Sequence, residues 1–240
     1  MAACAALALI GGPSSFHGAG TAAPATMTAY TAHYQVSYRG LSGGQIEVSF
    51  KPAPVAGQWL YETRPFPNLL GRIAVSTAAR EHSTMIIGPS GVQPLAFEFN
   101  DGSIDTAQDV RHTFDWTAKR VAGESKGKPF SLDVTPGTQN TASVQAAMIV
   151  ERLNGRSPTS FRILTGNNLR DYRYWMEGTQ QIVTPYGQVE AEVWASQRTG
   201  SDRVSKVWHA PSLGYVPVQA IQYRKGSPEV QMRLVSLQRQ

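Results

Sequence analysis

The sequence predicts a mainly β protein, a single-domain antiparallel open half-barrel with one α-helix inserted near 141–153. Three observations predict it. Aromatic and aliphatic residues alternate with polar ones through 170–223, the period of a sheet with one buried face. Each run stops at Gly, Pro, Asn, Asp or Ser, the residues that supply turn geometry. Against about a dozen such runs stands a lone helical stripe, suited to cover an open sheet edge or barrel mouth.

Taken in order, residues 30–39 put Tyr30, Ala32, Tyr34, Val36 and Tyr38 on one face of a strand. Residues 40–44 carry adjacent glycines and predict a hairpin loop of about four or five residues into a strand over 45–51. Pro52 and Pro54 end it. A strand follows over 58–64. Residues 65–79 read equally as a short helix or as a loop and then a strand. Strands over 81–87 and 92–100 flank Gly88-Pro89-Ser90-Gly91, a turn, and 101–106 is polar loop. Strands over 109–116 and 119–122 pair, 124–129 turns, and 130–134 returns.

The helix spans 141–153, with Ala142, Ala146, Ile149, Val150 and Leu153 on one stripe, Thr138 or Thr141 as the cap and Asn154-Gly155 as the stop. Strands over 161–164, 169–177, 180–184, 189–198, 203–210, 214–224 and 230–237 complete the chain. If the turn at 199–202 is symmetric, Val193 faces Trp208 and Glu192 faces His209, an apolar pair on one face and a polar pair on the other.

The 240 residues, 41% hydrophobic and 16% charged, suit one folded β domain over 26–240 and exclude a disordered chain. Residues 1–25 read as a truncated signal peptide: an apolar run at 2–10, then small residues ending in Ala23-Pro24-Ala25, with cleavage before Thr26. The run is too short to span a membrane. Cys4, the one cysteine, leaves with the leader, so the mature chain has neither disulfide nor thiol. The expected location is periplasmic or secreted. The net charge of +5 is scattered, with no basic run longer than two, which argues against a nucleic-acid partner.

Reactive constellations are sparse. His33, His82, His112 and His209 stand alone without metal-binding spacing, and read as surface or cross-strand histidines; no metal or cofactor is expected. Glu190 and Glu192 lie roughly 7 Å apart on one strand face, a separation that any i, i+2 pair satisfies and that an inverting glycosidase would need. Their bland reading is a solvated face near Arg203 and His209. No G-x-S-x-G elbow is present. Most aromatic residues belong to the core. If the sheet curls only partly around the helix, the leftover space is an apolar cleft of the kind that takes lipids.

Several spaced motifs carry a resemblance. They are Y-x-A-x-Y-x-V-x-x-x-G-L-x-x-G (Tyr30, Ala32, Tyr34, Val36, Gly40, Leu41, Gly44), the F-x-W of Phe114 and Trp116, and the 132–143 segment before the helix. With them come Arg170, Tyr172, Tyr174, Gly178, Thr184, Pro185 and Gly187, and finally Trp208, Ala210, Pro211, Tyr215, Pro217 and Val218. Over 30–237 the chain resembles the bacterial exported family known as domain of unknown function 3108. The resemblance implies an envelope protein with no established activity, and a strand-rich plan similar to the open barrels of LolA/LolB lipoprotein carriers. One departure is Asn140, where the family's Q-D-x-x-S pattern has Asp; an Asn caps a helix about as well as an Asp, so the fold is expected to survive, without a negative charge at that position.

These readings predict a non-catalytic envelope protein that binds a lipid or acyl chain in a concave sheet face, with Trp116, Tyr172, Tyr174, Trp194 and Trp208 as candidate ligand-binding residues. A scaffold that binds envelope proteins or polysaccharide through its outer surface is the alternative. A glycan hydrolase using Glu190 and Glu192 is the third.

Overall fold

Alternation of apolar and polar residues carries most of the chain into strands, and the strands pair in sequence order. The computed structural model describes residues 27–73, 75–104 and 108–239. The predicted leader at 1–25 lies outside them. In the first half are β1 (Tyr30–Tyr38), β2 (Leu41–Pro52), β3 (Trp59–Pro67), β4 (Arg80–Gly88), β5 (Gly91–Asn100), β6 (Val110–Asp115), β7 (Arg120–Ser125) and β8 (Lys128–Asp133). A two-residue β9 (Gln139–Asn140) precedes the helix α1 (Ser143–Leu153). Then come β10 (Ser160–Thr165), β11 (Asn168–Thr184), β12 (Gly187–Arg198), β13 (Arg203–Ala210), β14 (Val216–Arg224) and β15 (Ser227–Arg239).

All fifteen strands form one sheet, ordered β8-β7-β6-β5-β4-β3-β2-β1-β15-β14-β13-β12-β11-β10-β9. Every neighbour is antiparallel except β9 on β10. The first and last strands therefore meet in the middle, Tyr30 opposite Arg239, while the two sheet edges are made mid-chain and joined by 134–138. The hydrogen-bonded ladder stays open. Side chains bridge the gap: Phe114, Val121 and Val134 from the β6–β8 side pack with Leu164 of β10.

Inside the curl lies α1. Ala142, Ala146, Ala147, Ile149 and Val150 are buried in one cluster with Tyr30, Tyr34, Phe50, Met85 and Phe97 of the sheet, matching the predicted stripe. The predicted caps are corrected, since neither Thr138 nor Thr141 caps the helix. Asn140 Oδ1 accepts the N–H groups of Ala142 (3.1 Å) and Ser143 (2.7 Å), and the Asn140 N–H donates back to Ser143 Oγ (2.9 Å). The same Asn140 donates from Nδ2 to Ser83 Oγ of β4 (2.9 Å), while Gln139 Nε2 donates to the Val92 carbonyl of β5 (2.9 Å). A fully buried polar network thus pins the helix start to the β4–β5 hairpin.

Asn140→Ala should cost about 2–4 kcal/mol, since it removes a cap and strands two helix N–H groups. Asn140→Asp keeps both acceptor bonds beside the positive helix end and loses only the donation to Ser83, so it should cost about 1 kcal/mol. Urea denaturation of both variants measures the difference. Equal losses would remove Asn140 as the cap.

The turns are tighter than the sequence predicts. At 39–40, Arg39 (φ 49°) and Gly40 (φ 82°) form a two-residue connection, so β2 begins at Leu41 and its glycines lie inside the strand. Positive φ at both turn residues matches the twist of the flanking strands. Lys126-Gly127 and Lys225-Gly226 repeat this geometry. The stretch 65–79 follows neither reading cleanly: β3 continues to Pro67, and a single 3-10 turn, Gly71–Ile73, follows. Asn68 organises it by accepting the Gly71 N–H (2.9 Å) and donating to the Ser42 carbonyl (2.9 Å). The two strands predicted over 169–184 are one, β11, bent at a bulge between Met176 and Gly178. That bend lets the tip of the β11–β12 hairpin reach back to β15, where the Tyr186 N–H donates to the Leu234 carbonyl (3.0 Å).

Candidate functional site

The two-residue period decides which side chains face the helix, and the helix fills only part of the space. Beyond its N-terminal end a cavity of about 340 Å³ remains, walled by Tyr34, Ile46, Val48 and Tyr61 on one side and by Val207, Pro217, Ala220, Ile221 and Met232 on the other. Gln145 of the helix and Thr141 just before it form its floor. This is at the small end of the volume range of ligand pockets, and mostly apolar with a few polar groups, as such pockets are.

One carboxyl enters this cleft. Glu81 pairs with Thr63 across β3–β4, on the face shared with buried Ser83 and Met85. Among the described residues it makes no ion pair or hydrogen bond, and burial pushes its pKa up to about 7. Burial also raises the Tyr34 and Tyr61 hydroxyls well above the usual tyrosine range. The Tyr34 hydroxyl donates to the Pro217 carbonyl (2.9 Å), tying β1 to β14 across the cleft.

Beside the cleft is a second hollow of about 310 Å³, lined by Arg170 and Tyr172 of β11, Ser196 and Arg198 of β12, and Arg203 of β13, among others. Ser205 and Gln222 line both spaces, so the two share a wall. Register places Tyr172 opposite Arg198 and Ser196 opposite Ser205, all on the helix-facing side.

The predicted cross-strand pairs are present, Glu192 opposite His209 and Val193 opposite Trp208. The solvated face expected for Glu192 is corrected, because that face meets the helix. Arg152 donates from Nε to Glu192 Oε2 (2.8 Å) and from Nη2 to Oε1 (3.1 Å), and Trp194 Nε1 also donates to Oε2 (2.9 Å). These donors hold the Glu192 carboxyl below the usual range against the opposing effect of burial. With both oxygens occupied, Glu192 is poorly placed to act as an acid; Glu190 is exposed and bonded to Gln181.

His33 and His82 are cross-strand partners of Glu47 and Glu98, as expected. His112 and His209 are instead buried, a correction to the surface reading, and burial lowers both to about 4. No group of three or more His, Cys, Asp or Glu able to hold a metal is found among the described residues.

The five aromatic candidates are dispersed. Trp116 sits at the seam, stacked on Phe114, and donates to the Pro94 carbonyl (2.7 Å). Tyr172 lines the basic hollow. Tyr174 packs edge-on against Phe161, and Trp194 lies under the Arg152 guanidinium. Trp208 points to the opposite face from Trp194 and donates to Gln180 of the curled hairpin (3.0 Å). None of the five lines the apolar cleft. Of the residues that do, Tyr34 and Pro217 belong to the motifs that carry the resemblance, whereas Glu81 and Ile221 carry none; alternation alone could have flagged Glu81 as an acid on an otherwise buried face.

Among solved structures, a β-barrel-like protein of domain of unknown function DUF1849 from Brucella abortus shares the fold, with a TM-score of 0.56, 12% identity, and coverage of 90% of this chain and 99% of that one. A protein described as exported, with a YmcC-like fold, from Bacteroides fragilis aligns at a TM-score of 0.34 and 11% identity over 89% of this chain and 97% of its own. The Pseudomonas aeruginosa MucA/MucB complex aligns at 0.39 and 10% identity over 88% of this chain and 52% of that chain. A comparison with curated proteins finds no match. The family described as protein of unknown function (DUF3108) matches residues 33–235.

Proposed function

We propose that this chain, which belongs to the DUF3108 family, is an exported, non-catalytic protein that holds one apolar chain in the cleft beyond the helix. The observation that carries the reading is the cleft itself, an apolar space of about 340 Å³ between β1–β4 and β13–β15. Core packing normally leaves no such void. No helix among the described residues is long and apolar enough to cross a membrane.

The test is binding of N-phenyl-1-naphthylamine to delipidated protein, followed by its fluorescence. Ala220→Trp fills the cleft and should weaken binding at least about tenfold with an unchanged melting curve. Undiminished binding to that variant, or none to the parent, would sink the proposal.

Glu81 supplies a pH dependence. An apolar ligand desolvates the carboxyl further and so favours its protonated form, making affinity highest below pH about 7 and lower above it as Glu81 ionises. Glu81→Gln should flatten the profile between pH 5.5 and 8.5, as read by the same fluorescence titration at about 0.5-unit steps. A profile unchanged by the substitution would dissociate Glu81 from the ligand.

A second reading has its own observation. Phe66, Leu69, Leu70 and Ile73 are exposed on and after the end of β3. A run of apolar side chains left in water favours an envelope partner docking at that rim. Native mass spectrometry of protein taken from its envelope separates the two, since a carrier retains lipid and a scaffold retains protein.

A further inference from the structure

We infer that the occupant of the cleft ends in an anionic head, a phosphate or carboxylate, seated in the arginine-lined hollow next door; this rests on the cleft reading above. The hollow and the cleft share Ser205 and Gln222, so a single molecule can lie across both. Their chemistry differs in the way the two ends of an amphiphile differ. Cleft walls are aliphatic and aromatic. The hollow presents Arg170, Arg198 and Arg203 with hydroxyls and amides between them, and none of its lining residues is acidic.

Its arginines are not consumed by the fold. Arg162 of the neighbouring strand is paired with Asp171 (2.8 Å), whereas Arg170 and Arg198 form no ion pair among the described residues. Arg203 meets Glu229 at 3.5 Å, but that carboxylate also faces Arg39 (3.3 Å) and Arg224 (3.7 Å), so one negative charge serves three guanidiniums. The region therefore keeps an excess of positive charge beside the hollow. Guanidinium forks bind phosphate and carboxylate through paired, charge-assisted hydrogen bonds. The concentration of such groups on the concave side of β11, β12 and β13, next to an apolar slot, is the arrangement an acyl chain with a charged head requires.

The experiment is calorimetric titration of the delipidated full chain at pH 6 with dodecyl phosphate, dodecyl maltoside and inorganic phosphate, each below its micelle concentration. Dodecyl phosphate should bind roughly 10- to 100-fold more tightly than dodecyl maltoside, the span that a pair of charge-assisted bonds supplies. Arg170→Gln/Arg198→Gln should abolish that preference while leaving affinity for dodecyl maltoside unchanged. Should this variant fail to fold, Arg170→Lys/Arg198→Lys reads the same quantity and should keep only part of the preference, since it retains charge but loses the fork. Equal affinity for the two dodecyl compounds in the parent, or a preference that survives the glutamine pair, overturns the head site and leaves the cleft reading standing. Inorganic phosphate binding as tightly as dodecyl phosphate also overturns it, assigning the hollow to a free anion. Failure of both dodecyl compounds to bind removes the cleft reading as well.

Discussion

Glu192→Ala should lower the unfolding free energy by about 3–5 kcal/mol, the usual loss when one partner of a buried ion pair is deleted. The Arg152 and Glu192 side chains are only 11% and 12% exposed, and the pair joins the last turn of α1 to β12 in the middle of one half of the sheet. Removing the carboxylate leaves a guanidinium over the rings of Trp194 (5.3 Å) and Tyr215 (5.5 Å), with the Arg156 carbonyl, Ser157 and the Tyr215 side chain among its remaining partners. The ring faces and those oxygens offset part of the loss, not the charge. Deleting both charges is a different matter. Arg152→Met/Glu192→Leu should cost far less than the sum of the single changes, because no unpaired ion remains. Chemical denaturation of the parent, both single variants and the double variant gives the coupling energy. Additive losses would mean that the helix is not anchored through this pair.

His112→Phe should stabilise the protein at acid pH and do little near pH 8. The imidazole is 3% exposed, stacked on Phe97 (4.9 Å between centroids) and edge-on to Phe114 (5.4 Å) and Phe130 (6.2 Å). Among the described residues, neither ring nitrogen has a hydrogen-bond partner. Its cross-strand partner is Gly123, where a β-carbon would run into the Arg111 carbonyl and the His112 backbone. Burial lowers its pKa from 6.5 to about 4. The unfolded chain therefore takes up a proton near pH 6.5 that the folded chain refuses until about pH 4, and stability present above pH 6.5 is lost as pH falls through that window.

The loss is about 3 kcal/mol for each such histidine, and His209, lowered to about 4 as well, should contribute a similar amount. Glu81 acts with the opposite sign. Its raised pKa, about 7 against 4.5 for the free group, favours the folded state below pH 4.5 and withdraws that support as pH rises to about 7, on the order of 1–3 kcal/mol after allowance for its partial exposure. Two histidines outweigh one carboxyl, so thermal stability should peak near pH 6.5. Melting temperatures of the parent and His112→Phe from pH 4 to 8 check both statements. A parent curve that rises steadily toward pH 4 would contradict the buried neutral histidines.

Much of the architecture is legible along the chain because its signals are local. A period of two needs only neighbouring residues, and the lone helix announces itself through Ala142, Ala146, Ile149 and Val150. The facing of Glu192 with His209 and of Val193 with Trp208 follows from a short turn. The connections at 39–40 and 126–127 are read less well, because Arg39 and Lys126 adopt a positive φ that their residue type does not advertise. The cap read from the helical stripe, Thr138 or Thr141, is misread for a related reason: Asn140, the position the family pattern marks, is held in place by its bond to Ser83, 57 residues earlier.

By itself, then, the sequence determined the β class, the place of the single helix, the order of most strands and the family. Tertiary structure alone decided which face of each strand is inside. Alternation separates two faces without naming the inner one, and here both faces of the β12–β13 pair are buried, one under the helix with Trp194 and the other under a curled hairpin with Trp208. The cleft around Glu81 is assembled from strands that meet only when β1 pairs with β15 and the sheet curls. Residues brought together by that closure leave no spacing in the chain, since their proximity is a property of the curvature.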